Sequence, residues 1–153
     1  METMRRYYYL LSLLILLPAL GCGGGNNSTS NIGLFGNWNI AMYPTNNPNP
    51  SYVFALALSQ EGGSTYSGAS ITYNGTVPIP SDMCINAASL RASATVSSDN
   101  NYTMTITDTS TNTTISVTGT LPVQTNTITG NYSTLPSQAC SQSQGTMTMV
   151  PQS

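Results

Sequence analysis

The sequence predicts an all-β domain: an eight-stranded antiparallel sheet running up and down and closing into a barrel. Three observations predict it. Apolar and polar residues alternate through most of residues 35–150, turn-forming residues interrupt them roughly every ten positions, and almost nothing there carries a helical period.

Strand 1 spans Gly36–Tyr43, with Trp38, Ile40 and Met42 on one face and Asn37, Asn39 and Ala41 on the other. The stretch Pro44–Pro50 holds three prolines, which cannot donate to a ladder, so it is loop. Strand 2, Ser51–Ser59, alternates Tyr52, Phe54, Leu56 and Leu58, and Glu61-Gly62-Gly63 turns it back into strand 3 at 65–73. There the inward parity blurs, and a bulge is expected. Residues 74–87 are irregular, with Pro78, Pro80 and Cys84. Strand 4 carries Leu90, Ala92, Ala94 and Val96 in register; Ser98-Asp99-Asn100-Asn101 is a tight turn. Strand 5 sets Tyr102, Met104, Ile106 and Asp108 against Thr103, Thr105 and Thr107. Strand 6 shows Ile115, Val117, Gly119 and Leu121, strand 7 Ile128, Gly130, Tyr132 and Thr134, and strand 8 runs Thr146–Val150. Threonine on the polar face suits a half-exposed pleat, and one wet face is the habit of antiparallel neighbours.

Ahead of the domain, Arg5 and Arg6 precede an uncharged stretch, Tyr7–Leu20, of 14 residues. A membrane-spanning helix needs about 20, whereas a basic start, a short apolar run and small residues at a junction make an export signal. Residues 1–21 are therefore read as signal peptide, 22–34 as a Gly/Ser/Asn tether, 35–150 as the barrel and 151–153 as a tail. Gly21-Cys22 resembles the lipobox of bacterial lipoproteins, which implies a lipid anchor on Cys22. In that class a residue other than Asp after the cysteine (here Gly23) implies the outer membrane. Ala19 and Gly21 also satisfy ordinary signal-peptidase cleavage.

Cysteine parity favours the lipid. With Cys22 modified, Cys84 and Cys140 remain as an even pair for a disulfide in an oxidising compartment. In an up-and-down meander both fall at the end that collects loops 44–50, 74–87 and 135–144. Their bond would close a loop of 57 residues, worth about 4 kcal/mol in the chain-entropy account. The other end has only short turns and receives the tether.

Past residue 21 the chain has one base, Arg91, against four acids, Glu61, Asp82, Asp99 and Asp108, a net charge of −3. Only 5% of all residues are charged, against about 25% in ordinary soluble domains. Nucleic acids and anionic membranes need cations that this chain lacks. Without histidine, and with few carboxylates, metal sites and nucleophile–base pairs lack material, so neither an enzyme nor a metal or cofactor carrier is expected.

Gly36-Asn37-Trp38 at the head of an eight-stranded meander resembles the lipocalin-type barrel. That resemblance implies a Trp closing the barrel floor and a cavity open at the far end. A two-sheet sandwich of immunoglobulin type is the alternative fold. In the barrel, Trp38, Phe54, Leu56, Met104, Ile106, Asp108 and Tyr132 would line a site for a small apolar or amphipathic ligand. Trp38 serves equally as a core plug. Asp108 is either a ligand contact at the mouth, close to Asp82 and Arg91, or the cap of the turn at 109–112. Ala92, Ala94, Gly119 and Gly130 either leave a cavity or admit neighbouring Tyr and Met side chains. Free interior volume thus separates a ligand-binding barrel from a structural or interaction module with a filled core.

Overall fold

The structure, a computed structural model, describes residues 33–73, 85–135 and 142–153. It is all-β and forms one closed antiparallel barrel in up-and-down order. The strands are β1 (Gly36–Pro44), β2 (Tyr52–Gly62), β3 (Thr65–Ile71), β4 (Leu90–Val96), β5 (Asn101–Asp108), β6 (Thr113–Thr120), β7 (Ile128–Thr134) and β8 (Gln144–Pro151). The eight expected strands are present and the sandwich is excluded.

Closure is made by β1 and β8, which pair from Trp38 with Pro151 to Pro44 with Gly145. Gly145, expected as the end of a loop, instead lies inside this seam. A Cβ there would stand 1.9 Å from the carbonyl oxygen of Tyr43, so only glycine lets the two backbones pair. Strand 8 consequently begins two residues earlier than the alternation indicates.

The register sets the interior size. From Gly36 the partners run through Leu58, Gly68, Ala92, Ile106, Ile115 and Thr134. Past β8 they return to β1 at the level of Asn46, a stagger of ten residues over eight strands. That stagger corresponds to a strand tilt of about 40° and a backbone radius of roughly 8 Å, a lumen that side chains fill or one small ligand occupies.

The turns follow the residues that make them. Asn46, Asn100 and Asn112 take left-handed backbone conformations, with φ of 66°, 60° and 56°, which asparagine accepts more readily than most residues. The bulge sits in β2, not in strand 3: the register shifts between Gln60 and Gly62. The extra residue carries β2 past its expected end, and Gly63 at φ 55° makes the short return. Strand 3 looked irregular because its inward residues after Tyr66 are Gly68 and Ser70, too small to signal a face. β2 is apolar on both faces, and its outward Val53 and Ala55 are each 1% exposed.

At the short-turn end Leu34, expected as the last tether residue, is fully buried with Trp38, Tyr66, Tyr102 and Leu121. The Trp38 indole N–H donates to the Leu34 carbonyl at 2.8 Å. This fixes Leu34 over the floor and starts the domain one residue before Phe35.

At the Gly119–Gly130 pair an added side chain would meet both a ring and the backbone. A Cβ at Gly130 would lie 2.4 Å from the Tyr102 phenol oxygen and 2.7 Å from the Thr118 carbonyl oxygen. Because the second obstacle is backbone, no rotamer change relieves it. Gly130→Ala is expected to destabilise by about 1–3 kcal/mol, read as a lower urea midpoint at unchanged slope. An unchanged midpoint would mean that the ring does not occupy this slot.

Candidate functional site

The seven residues expected to line a cavity all point into the barrel, with Trp38 on β1, Phe54 and Leu56 on β2, Met104, Ile106 and Asp108 on β5, and Tyr132 on β7. Each is 3% exposed or less. The six other than Asp108 belong to one cluster of buried side chains that spans the barrel.

The small inward residues decide how full that interior is. Gly119 of β6 and Gly130 of β7 stand opposite each other. The Tyr102 ring lies over them, within 2.8 Å of where either Cβ would be. Its hydroxyl donates to the Thr129 carbonyl at 3.0 Å, so the one polar atom of the plug is satisfied. Burial raises the Tyr102 pKa to about 12. Gly68 is filled in the same way by Leu58, whose Cδ2 is 2.6 Å from the position of a Cβ. Ala94 faces Tyr66 on one side and Met104 on the other, and Ala92 faces Ile106. Gly68, Gly119 and Gly130 thus each have a large side chain lying over them. Tyr102 does the most of this filling and was absent from the expected lining set. Its signal was available: an inward Tyr in register with a glycine.

Toward the loop end the interior becomes polar. Tyr132 packs edge-on against Tyr52, with ring centroids 6.4 Å apart at 80°, and its hydroxyl lies 3.1 Å from that of Ser143. Burial raises the Tyr132 pKa and the Ser143 contact partly offsets it. Thr134 clasps Ser143 in both directions, accepting its N–H at 2.7 Å and donating its hydroxyl to its carbonyl at 3.2 Å.

Asp108 has the inward parity expected of it and is 1% exposed. The turn-capping role is the one its contacts describe. Oδ1 accepts the Ser110 N–H at 2.8 Å, the Ser110 hydroxyl at 2.7 Å and the Ser89 hydroxyl. Oδ2 accepts the Asn86 N–H at 2.7 Å and the Thr111 hydroxyl at 2.9 Å. Burial alone would raise its pKa. The donors from Ser89, Asn86 and Ser110 outweigh burial and hold the carboxyl well below the usual range. Arg91 does not pair with it: the guanidinium Nη1 donates to the Leu90 carbonyl at 3.3 Å. A carboxylate with this many donors is occupied in tying residues 86–89 to the turn 109–111, and little of it is left for a ligand.

Cys22, Asp82, Cys84 and Cys140 lie outside the described residues. Among the described residues no three His, Cys, Asp or Glu side chains gather as metal ligands. Three clefts lined by described residues lie on the outer surface. One of about 410 Å³ sits beside the β1–β2 turn, one of about 170 Å³ lies over β3–β5, and one of about 560 Å³ lies over β6–β8.

The Asp108 clasp gives an acid limb to stability. Its folded-state pKa is depressed, so its contribution is complete above the unfolded value of about 3.9 and is lost as pH falls below that toward the folded value. Tyr102 gives the alkaline limb. Its raised pKa makes its contribution complete below about 10 and lost as pH rises toward 12. Between pH 5 and 8, with no histidine, urea midpoints should be level. Asp108→Asn should flatten the acid limb and cost about 1–3 kcal/mol at neutral pH, because its NH₂ would face hydrogen-bond donors. A midpoint that still falls as steeply below pH 4 in Asp108→Asn would reject the clasp as its cause.

Comparison of the chain with protein-family models, with curated proteins and with solved structures finds no match.

Proposed function

We propose that this chain is an envelope lipoprotein whose barrel is a packed scaffold, acting through its outer surface and loop end and not through a ligand in its lumen. The observation that carries this reading is the occupancy of the small lumen positions, above all Tyr102 over Gly119 and Gly130. A ligand-binding barrel of this size must leave space of some 300 Å³ inside. Here the same interior is taken by Trp38, Phe54, Leu56, Tyr66, Tyr102 and Met104, each at most 7% exposed.

The anchor belongs to the same proposal. A lipid on Cys22 holds the chain to the outer membrane, and residues 22–32 lead to Gly33 at the short-turn end. A stretch of 11 residues of Gly/Ser/Asn-rich composition would reach roughly 20 Å, which would set that end near the lipid and the loop end outward. Catalysis is not part of the proposal. Past residue 21 the chain offers one arginine, four acids and no histidine or lysine, and the interior carboxylate is engaged by serine, threonine and backbone donors.

Two measurements test this. Native mass spectrometry of protein extracted from membranes is expected to give the polypeptide plus its lipid modification and no further bound molecule. A stoichiometric apolar or amphipathic small molecule surviving extraction would restore the ligand-binding reading. Cys22→Ala is expected to move the protein from the membrane to the soluble fraction. An unmodified, soluble protein from the unsubstituted gene would reject the anchor while leaving the packed scaffold untouched.

A further inference from the structure

The cleft beside the β1–β2 turn, of about 410 Å³, is lined by Tyr43–Pro48 on one side and by Gly145 and Thr146 on the other. Its size is that of a small-molecule site. Tyr43 points outward from β1, in register with Thr146 of β8, and its side chain is half-buried. The Tyr43 phenol and the Asn46 amide make no hydrogen bond among the described residues. Asn47 uses only its carbonyl oxygen, accepting the Asn49 N–H at 2.9 Å, so its NH₂ remains available. Asn46 is held in a left-handed conformation by the turn that the Asn47 N–H closes onto the Pro44 carbonyl at 3.0 Å. The cleft therefore presents an aromatic ring, two prolines and unused amide groups on a fixed turn.

A second cleft, of about 560 Å³, continues from Thr146 along Thr148, Asn131, Thr129 and Thr120. Thr146 belongs to both. Together they form one track over the outer surface of β1, β8, β7 and β6, lined by hydroxyls and amides and by no charged side chain.

The chemistry of the track narrows what fits it. A phosphate or carboxylate ligand calls for arginine or lysine, and none lines it. An apolar ligand calls for enclosure in an apolar pocket, and this surface is open. A sugar ring offers an apolar C–H face to stack on an aromatic ring and hydroxyls that both donate and accept. Asparagine and threonine pair with those hydroxyls without any charge. We propose that the track binds a neutral glycan, with Tyr43 as the stacking platform and Asn46 and Asn47 as the polar contacts at one end. This names a partner chemistry for the outer-surface function proposed above and rests on that reading.

The test is calorimetric titration of the full-length protein with maltohexaose, cellohexaose, laminarihexaose and the tetramer of N-acetylglucosamine. At least one is expected to bind. Tyr43→Ala should then weaken it at least tenfold, and Asn46→Gly several-fold. Glycine accepts the positive φ of position 46, so Asn46→Gly decides the matter even if Tyr43→Ala fails to fold. Thr105→Ala, outside both clefts, should bind as the unsubstituted protein does. No binding of any of the four, or equal binding by folded Tyr43→Ala and Asn46→Gly, overturns the glycan proposal. It would leave the packed-scaffold reading standing, since that reading falls only to a molecule found in the lumen.

Discussion

The structure depends on the hydrogen-bonded seam between β1 and β8. A sheet of this length with free edges would offer two rows of unpaired backbone groups, and charged side chains are among the devices that protect such edges. This chain has almost none to spend, with 5% charged residues. Closure removes the edges instead. It does so through pairing from Trp38 to Pro44 that requires Gly145 to have no side chain. Once the seam forms, the stagger of the strands and the width of the lumen follow, and with them the volume that inward side chains must fill.

How that volume is filled explains what could be foreseen from residue order and what could not. The strand positions were legible because inward Ile, Met, Leu and Tyr alternate with outward Thr and Ser, a contrast that needs no knowledge of partners. Asn46, Asn100 and Asn112 marked their turns for an equally local reason, namely tolerance of positive φ. The bulge was misplaced because its cause is not local. The register slips at Gln60 and Gly62 of β2, while the blurred pattern belongs to β3, whose Gly68 is overlain by Leu58 from across the sheet. Leu34 was missed for a related reason: one leucine after a polar tether has no period, and only the Trp38 indole bonding its carbonyl shows why it is buried.

The candidate site was legible only as a set of inward positions. Parity placed Trp38, Phe54, Leu56, Met104, Ile106, Asp108 and Tyr132 inside, and all are there. Parity carries no information about whether the space between them is empty. That depends on diagonal reach, as when Tyr102 on β5 crosses Gly119 of β6 and bonds the Thr129 carbonyl on β7. Asp108 gives the same lesson in polar form. Its position was compatible with a ligand contact and with a turn cap, and the two separate only when its donors are known, all five from the turn it caps and the 86–89 stretch beside it.

The outer face of the barrel is divided. Around β2 it is apolar, with Val53 and Ala55 buried. From β4 to β8 the outward residues, Arg91 and Val150 apart, are mostly hydroxyls and amides in registered ranks, one of which runs Thr95, Thr103, Thr118, Asn131 and Thr146 before meeting Tyr43. Hydroxyls keep such a surface wet without charge. Contacts made by the rank from Thr95 to Tyr43 are nearly independent of ionic strength, because salt screens interactions between charges and this rank carries none. The scarcity of charge thereby acquires a positive meaning. What such a face offers a partner is shape and hydrogen bonding at close range, because long-range steering needs charge that it does not carry.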